Sequence, residues 1–251
     1  ELLLIYSAND AAYISALAVS DSIDDFIILM NEKTKSINMI NTNFVNPDGI
    51  DDDNHYTTIN DLLLLSIEII NNYQLISILS KPVFYSDASG KEKTYENTNL
   101  LISDGFNGIK TGWTNKAGLT FIGFNQNNNR QIITIVNNSI VDIDKYNHFL
   151  DTKILYELTI DTYKNHILIS KDTNLYTIRN SFKVYNHKSK SDWSEFININ
   201  NKNNIKFDKY DVNNIRYTFD KYFKNYKVIS SDKAVHYQFD PIKIFKIFAN
   251  D

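Results

Sequence analysis

Two extended-type runs, Leu119 to Asn125 and Gln131 to Asn137, are separated only by the polar stretch Gln126-Asn127-Asn128-Asn129-Arg130. A polar connector this short between two strand-like runs makes them an antiparallel hairpin. A third extended run surrounds Lys110, so the hairpin lies behind a Lys110 strand. Helix-type periodicity flanks this region on both sides. The fold class is therefore α+β, an antiparallel sheet with a helical cluster.

The helices are read from caps and periodicity. Ala11 to Ser20 is a small-residue run compatible with a helix, and a second helix starts at an Asp21 or Ser22 cap and carries Phe26, Leu29, Met30 and Lys33. The loop NTNFVNPDGIDDDN follows, with Asn46-Pro47-Asp48-Gly49 a turn by its local chemistry. Thr58 with Asp61 three residues on resembles a capping box, opening a helix through Leu62, Leu65, Ile69 and Ile70, with a short helical run near Leu75 to Leu79. An extended segment is expected at Lys81 to Tyr85. A last helix, from about Asp144 to Tyr163, places Tyr146, Phe149, Leu150, Ile154, Leu155 and Leu158 on one stripe. After Lys164 the texture changes to short runs such as HILIS, NLYTI, FKVYN, KVIS and IKIFKIF, broken by Asn, Asp, Ser and Lys. The expected organisation is a first domain over 1–163 and a small, mostly β domain over 164–251.

Composition excludes several function classes. The 251 residues carry a net charge of −4, which gives no general attraction to nucleic acid or anionic membrane. No cysteine is present, so disulfides, thiolate metal sites and cysteine nucleophiles are ruled out. The chain has no run of 18 apolar residues, and ELLLIY at its start lacks the length and the basic flank of a signal peptide. The five histidines show no metal spacing, and Asp51 to Asp53 with His55 read as a solvated turn. No metal and no cofactor is expected. Abundant Asn, Ile and Lys read as the imprint of an AT-rich genome, which accounts for Asn clusters without invoking function.

The chemistry concentrates in Lys110-Thr111-Gly112 and in Ser7-Ala8-Asn9 near the start. Together they supply a cation, hydroxyls and a carboxamide of the kind that surrounds a serine nucleophile. Acyl transfer by serine also needs an activated hydroxyl and its base, usually on one Ser-x-x-Lys turn. The chain has a lysine three residues after a serine only at Ser230 and Lys233. That pair lies downstream of Lys110, in a strand-like region, where a helix ahead of Ser7 is required.

Five blocks in order carry a resemblance across Ser7 to about Tyr163. They are SANDAA at Ser7 to Ala12, LMNEK at Leu29 to Lys33, NTNFVNPDG at Asn41 to Gly49, HYTT with NDL at His55 to Leu62, and the run containing KTGWTNKAG at Asp104 to Gly118. The chain resembles the D-alanyl-D-alanine carboxypeptidases, the low-molecular-weight penicillin-binding proteins of the serine peptidase class. The resemblance implies an incomplete β-lactamase/transpeptidase-like domain followed by a β-rich one. The family carries its Ser-x-x-Lys helix several tens of residues before Ser-x-Asn, whereas six residues precede Ser7 here. A longer parent or a trimmed gene product is therefore expected. Because that helix is apolar and central in the family, a chain without it is expected to be marginally stable and, alone, inactive.

For the site, the resemblance implies that Lys110 holds the substrate carboxylate and biases nearby hydroxyls, and that Thr111 hydrogen-bonds the same carboxylate. Gly112 lets a substrate backbone lie flat, and the Trp113 N–H is an oxyanion donor. Ser7 relays a proton to the leaving amine, and Asn9 orients a lysine and the substrate carbonyl; by local chemistry Asn9 and Asp10 are equally a helix N-cap pair. The implied partners are peptidoglycan stem peptides ending in D-Ala-D-Ala and, for the intact parent, β-lactams. Nucleic acid is not among them, and membrane association is left to the parent. The implied location is extracytoplasmic, in the periplasm or cell envelope. The alternatives are a noncatalytic peptidoglycan-binding relative and a β-lactamase, against which the Asn-Thr-x-Phe-x-Asn-Pro-x-Gly block counts.

Overall fold

The computed structural model describes residues 1–87, 90–127, 130–141, 143, 146–179, 183–188, 191–198, 206–209, 214–219, 222–227 and 231–236. The chain divides into two compact units, Glu1–Glu157 and Leu158–Asp251.

The first unit opens with a π-helical turn over Leu2–Tyr6, then α1 (Asn9–Val19) and α2 (Ile23–Ser36). Ser22 caps α2 by accepting a hydrogen bond from the Asp25 N–H at 3.1 Å. Asp24 and Asp25 sit in its first turn, Lys33 and Lys35 in its last, complementing the helix dipole. Helix α3 (Ile59–Ile70) starts at Thr58, whose hydroxyl accepts from the Asp61 N–H at 3.2 Å. The reciprocal half of the capping box is not made. The buried Asp61 carboxylate instead accepts from the Asn41 N–H at 2.8 Å and the Thr42 hydroxyl at 2.7 Å, fixing the start of the 41–57 loop to α3. Helix α4 (Tyr73–Leu79) follows, capped by Asn72.

A hairpin of β1 (Val83–Ser86) and β2 (Lys93–Glu96) leads to a 3₁₀ turn over Leu100–Asp104. Strands β3 (Phe106–Thr114), β4 (Gly118–Asn127) and β5 (Arg130–Ser139) then form an antiparallel sheet in the order β3-β4-β5. Strand β3 is at its edge, with Lys110 opposite Ile122 and Gly112 opposite Thr120. Phe121 and Phe124, three apart on β4, face opposite sides because side chains alternate along a strand. Phe121 packs with Leu101, Phe106 and Phe149, while Phe124 packs with Leu79 and Ile109 and with the flanking Leu4, Ile69 and Leu75. The sheet is thus covered by α5 (Asn147–Thr162) on one face and by α3, α4 and the N-terminal turn on the other.

Helix α5 does not use the stripe that its periodicity suggests. His148, Phe149 and Thr152 are its buried residues and Tyr156 packs beside them, whereas Leu150, Ile154 and Leu155 are exposed. The face is turned because Phe149 and Tyr156 meet the aromatic rings of Phe121 and Phe106, at ring-centroid distances of 5.2 and 5.3 Å. Apolar residues of α1 and α2, Ile14, Leu17 and Ile28 among them, are also exposed.

The second unit contains β6 (Tyr163–Ile169), β7 (Asn174–Arg179), β8 (Lys183–Lys188), β9 (Trp193–Asn198), β10 (Lys206–Lys209), β11 (Asn214–Phe219), β12 (Tyr222–Lys227) and β13 (Ser231–His236). These form β6-β9, β13-β8-β7 and β10-β11-β12 antiparallel sheets. Ser230 and the IKIFKIF run lie outside the described residues.

Candidate active site

Strand β3 and the N-terminal turn bring the two motifs together. Lys110 Nζ donates to Ser7 Oγ at 2.8 Å and to the Thr111 carbonyl at 3.0 Å. Ser7 ends the π-helical turn in the left-handed region, at φ 63°, a conformation that costs a non-glycine residue about 1 kcal/mol or more. The fully buried Ile5 two residues earlier anchors the turn, so the serine is held where the ammonium reaches it. Lys110 is half-buried, and burial lowers its ammonium from the ordinary 10.5 to about 8. At neutral pH it remains a cation, poorly solvated and ready for an anion.

Thr111 donates its hydroxyl hydrogen to Thr98 Oγ1 at 2.7 Å. Gly112 leaves no room for a side chain, since a Cβ there would lie 2.6 Å from Thr120 Oγ1. The Thr120 hydroxyl donates to the Gly112 carbonyl at 3.1 Å. The glycine therefore has a reason inside the sheet as well as any facing a ligand. Trp113 is about half exposed near the end of the strand. Asn9 is the first residue of α1 and is exposed; the N-cap position is Ala8, which makes no side-chain cap. Of the sequence-derived residues, a hydrogen bond joins Lys110 to Ser7, and none joins Asn9 to either.

Three residues of the neighbourhood carried no signal in the sequence analysis. The buried Asn97 donates from Nδ2 to the Leu79 and Lys81 carbonyls and accepts from the Asn99 N–H. The buried Asn99 caps the 3₁₀ turn by accepting from the Leu101 N–H. Between them, the Thr98 N–H donates to the Ile5 carbonyl at 3.0 Å, and its side chain meets Thr111. The Asn-Thr-Asn triplet ahead of Leu-Leu-Ile was the available signal, and the compositional account of asparagine clusters concealed it.

The acidic loop is tied to the end of β3 and the turn that follows it. Asp51 accepts from the Thr114 hydroxyl at 2.6 Å and from the Lys116 N–H at 3.1 Å, and Asp53 pairs with the Lys116 ammonium. The pair holds the Asp53 carboxyl below its usual value and raises Lys116. His55 is held below its usual value by burial, against the pull of Asp52 and Asp48. Among the described residues no group of three His, Asp or Glu side chains is placed to hold a metal ion.

The site is thus a half-buried ammonium on an edge strand, hydrogen-bonded to a serine on the adjoining turn. Residues 1–140 match the sequence model of the family described as D-alanyl-D-alanine carboxypeptidase. The chain belongs to that family. It is 27% identical over 179 residues to the D-alanyl-D-alanine carboxypeptidase DacF of Bacillus subtilis, a match covering 70% of this chain and 45% of that protein. The chain thus spans less than half the length of the first curated relatives it matches. Penicillin-binding protein D2 of Listeria monocytogenes, solved with cefotaxime bound, aligns at 33% identity and a TM-score of 0.56 over 62% of each chain. A peptidoglycan synthesis regulatory factor, PBP3 of Streptococcus pneumoniae, aligns with a TM-score of 0.72 over 93% of this chain and 75% of its own, at 21% identity. That last likeness speaks for the α+β fold.

Proposed function

We propose that the chain supplies the carboxylate-binding and proton-relay walls of a serine D-alanyl-D-alanine carboxypeptidase acting on peptidoglycan stem peptides through an acyl-enzyme. The observation that carries this is the Lys110 to Ser7 hydrogen bond, which joins the two family motifs into one site. Lys110 attracts the terminal carboxylate of the peptide. Ser7 accepts from Lys110, so its own O–H stays available to pass a proton toward the leaving amine. Thr111 holds the carboxylate, Gly112 keeps the strand surface low, the Trp113 N–H faces the oxyanion, and Asn9 orients the substrate carbonyl.

No Ser-x-x-Lys pair ahead of Ser7 is present in these 251 residues. On their own they are expected to bind such a peptide without turning it over, and to take up no penicillin covalently. Cefotaxime in the Listeria relative supports β-lactam acylation of a form of the protein that holds the serine. We place domain 1–163 at the cleft and give 164–251 a role in placement, in the cell envelope. Calorimetric titration with an N-acylated peptide ending in D-Ala-D-Ala tests the carboxylate clamp. The full chain should bind it, and Lys110→Ala should weaken binding by about ten-fold or more, as expected for a lost charge-assisted contact. Equal affinity in the folded variant would remove the clamp.

A further inference from the structure

Three consecutive residues of the N-terminal turn each hold a different part of the rim of the site. The Ile5 carbonyl accepts from the Thr98 N–H at 3.0 Å, the Tyr6 ring meets the Tyr95 ring of β2, and Ser7 accepts from Lys110 of β3. Tyr6 is the member left open. Half of its surface faces solvent, although Ile5 beside it is fully buried.

The Tyr6 ring is nevertheless braced. It meets Tyr95 edge to face, with centroids 5.3 Å apart and planes at 71°. Tyr95 is half-buried, stacked with Phe84 at 6.0 Å and 25°, and the Lys93 ammonium lies 4.8 Å from its ring centre. Such ring contacts attract beyond the area they bury, so this cluster holds the Tyr6 side chain in place. A group that packs on the open part of a braced ring costs little side-chain entropy and gains the burial of apolar surface. With the terminal carboxylate of an acylated D-Ala-D-Ala ligand at Lys110, its acyl end lies elsewhere on the rim, where Tyr6 offers this surface one residue from Ser7.

We propose that Tyr6 is a specificity-determining residue whose ring receives the acyl group upstream of D-Ala-D-Ala, selecting ligands in which that group is large and apolar over those in which it is small. The inference rests on the carboxypeptidase reading above. It adds an aromatic subsite, built by the N-terminal turn and the β1–β2 hairpin, to the charged site on β3.

The test compares N-acetyl-D-Ala-D-Ala with N-phenylacetyl-D-Ala-D-Ala, and each with its C-terminal amide, by calorimetry at pH 7 on the full chain and on Tyr6→Ala and Tyr6→Phe. The wild-type chain should bind the phenylacetyl acid about five-fold more tightly than the acetyl acid, as expected for one ring packed on another. Tyr6→Phe should keep this ratio and Tyr6→Ala should bring it close to unity. The preference for acid over amide should stay the same in both variants, because Lys110 is untouched; a general loosening of the site would lower it. A wild-type chain that binds the two acids equally, or a folded Tyr6→Ala chain that keeps the phenylacetyl preference, overturns the role of Tyr6 and leaves the carboxypeptidase reading in place. A wild-type chain with no preference for acid over amide overturns that reading and this inference with it. Should Tyr6→Ala fail to fold, Tyr6→Gln, which keeps a long side chain without a ring, makes the same comparison with the same outcomes.

Discussion

Replacing Gly112 by alanine places a Cβ 2.6 Å from Thr120 Oγ1, well inside van der Waals contact. Thr120 is β-branched, so its rotamer changes reluctantly. Rotating it away also breaks its hydrogen bond to the Gly112 carbonyl, a contribution of about 1 kcal/mol. Overpacking adds about 1 to 3 kcal/mol, so Gly112→Ala should destabilise the first unit by about 2 to 4 kcal/mol. Because the clash involves one oxygen atom, Thr120→Ala should relieve it, while Thr120→Val, which puts a methyl in its place, should not. Urea unfolding followed by Trp113 fluorescence measures this. With two tryptophans in the chain, a Trp193→Phe background confines the signal to the first unit. The double variant Gly112→Ala/Thr120→Ala should be more stable than the sum of the single changes by about 2 kcal/mol. Additive single changes, or an equal rescue by Thr120→Val, would refute the steric explanation for the glycine.

Lys110 predicts a pH dependence of stability. Its folded pKa of about 8 lies below the ordinary 10.5, so between those values the folded chain has released a proton that the unfolded chain retains. Stability of the first unit should therefore rise with pH across that window relative to Lys110→Met, by at most about 3 kcal/mol and less because the side chain is only half-buried. Parallel curves for the two proteins would contradict it. Asp61→Ala removes a buried acceptor for the Asn41 N–H and the Thr42 hydroxyl and should cost about 2 to 3 kcal/mol. Faster amide exchange at Asn41 would report that loss, and unchanged exchange would count against the anchor.

The elements that the sequence disclosed are those whose signals are local. Ser22 ahead of Ile23 and Thr58 ahead of Ile59 mark helix starts through bonds spanning three residues. The β4–β5 hairpin needed only a polar connector between two strand-like runs. Strand β2 was missed because Lys93-Thr94-Tyr95-Glu96 is too short and too polar to show an apolar alternation, and its extension comes from pairing with β1. The buried face of α5 was misplaced because apolar periodicity ranks Leu150 and Ile154 with Phe149, while packing selects the ring that meets Phe121. At the site, Lys110 and Ser7 were legible through their motifs. Thr98 and Asp51 were not, because each acts through a partner far along the chain, Thr111 and Thr114.

The titration of Lys110 itself tests the carboxylate clamp most directly. Carbon-13 labelling of the lysine side chains, with Lys110→Met to assign the signal, allows the Lys110 Cε shift to be followed with pH. We expect a pKa near 8 in the free chain, raised by about one unit or more in the presence of saturating N-acetyl-D-Ala-D-Ala and unmoved by the amide. A Lys110 pKa that the saturating acid leaves where it was would contradict the placement of a carboxylate against this ammonium.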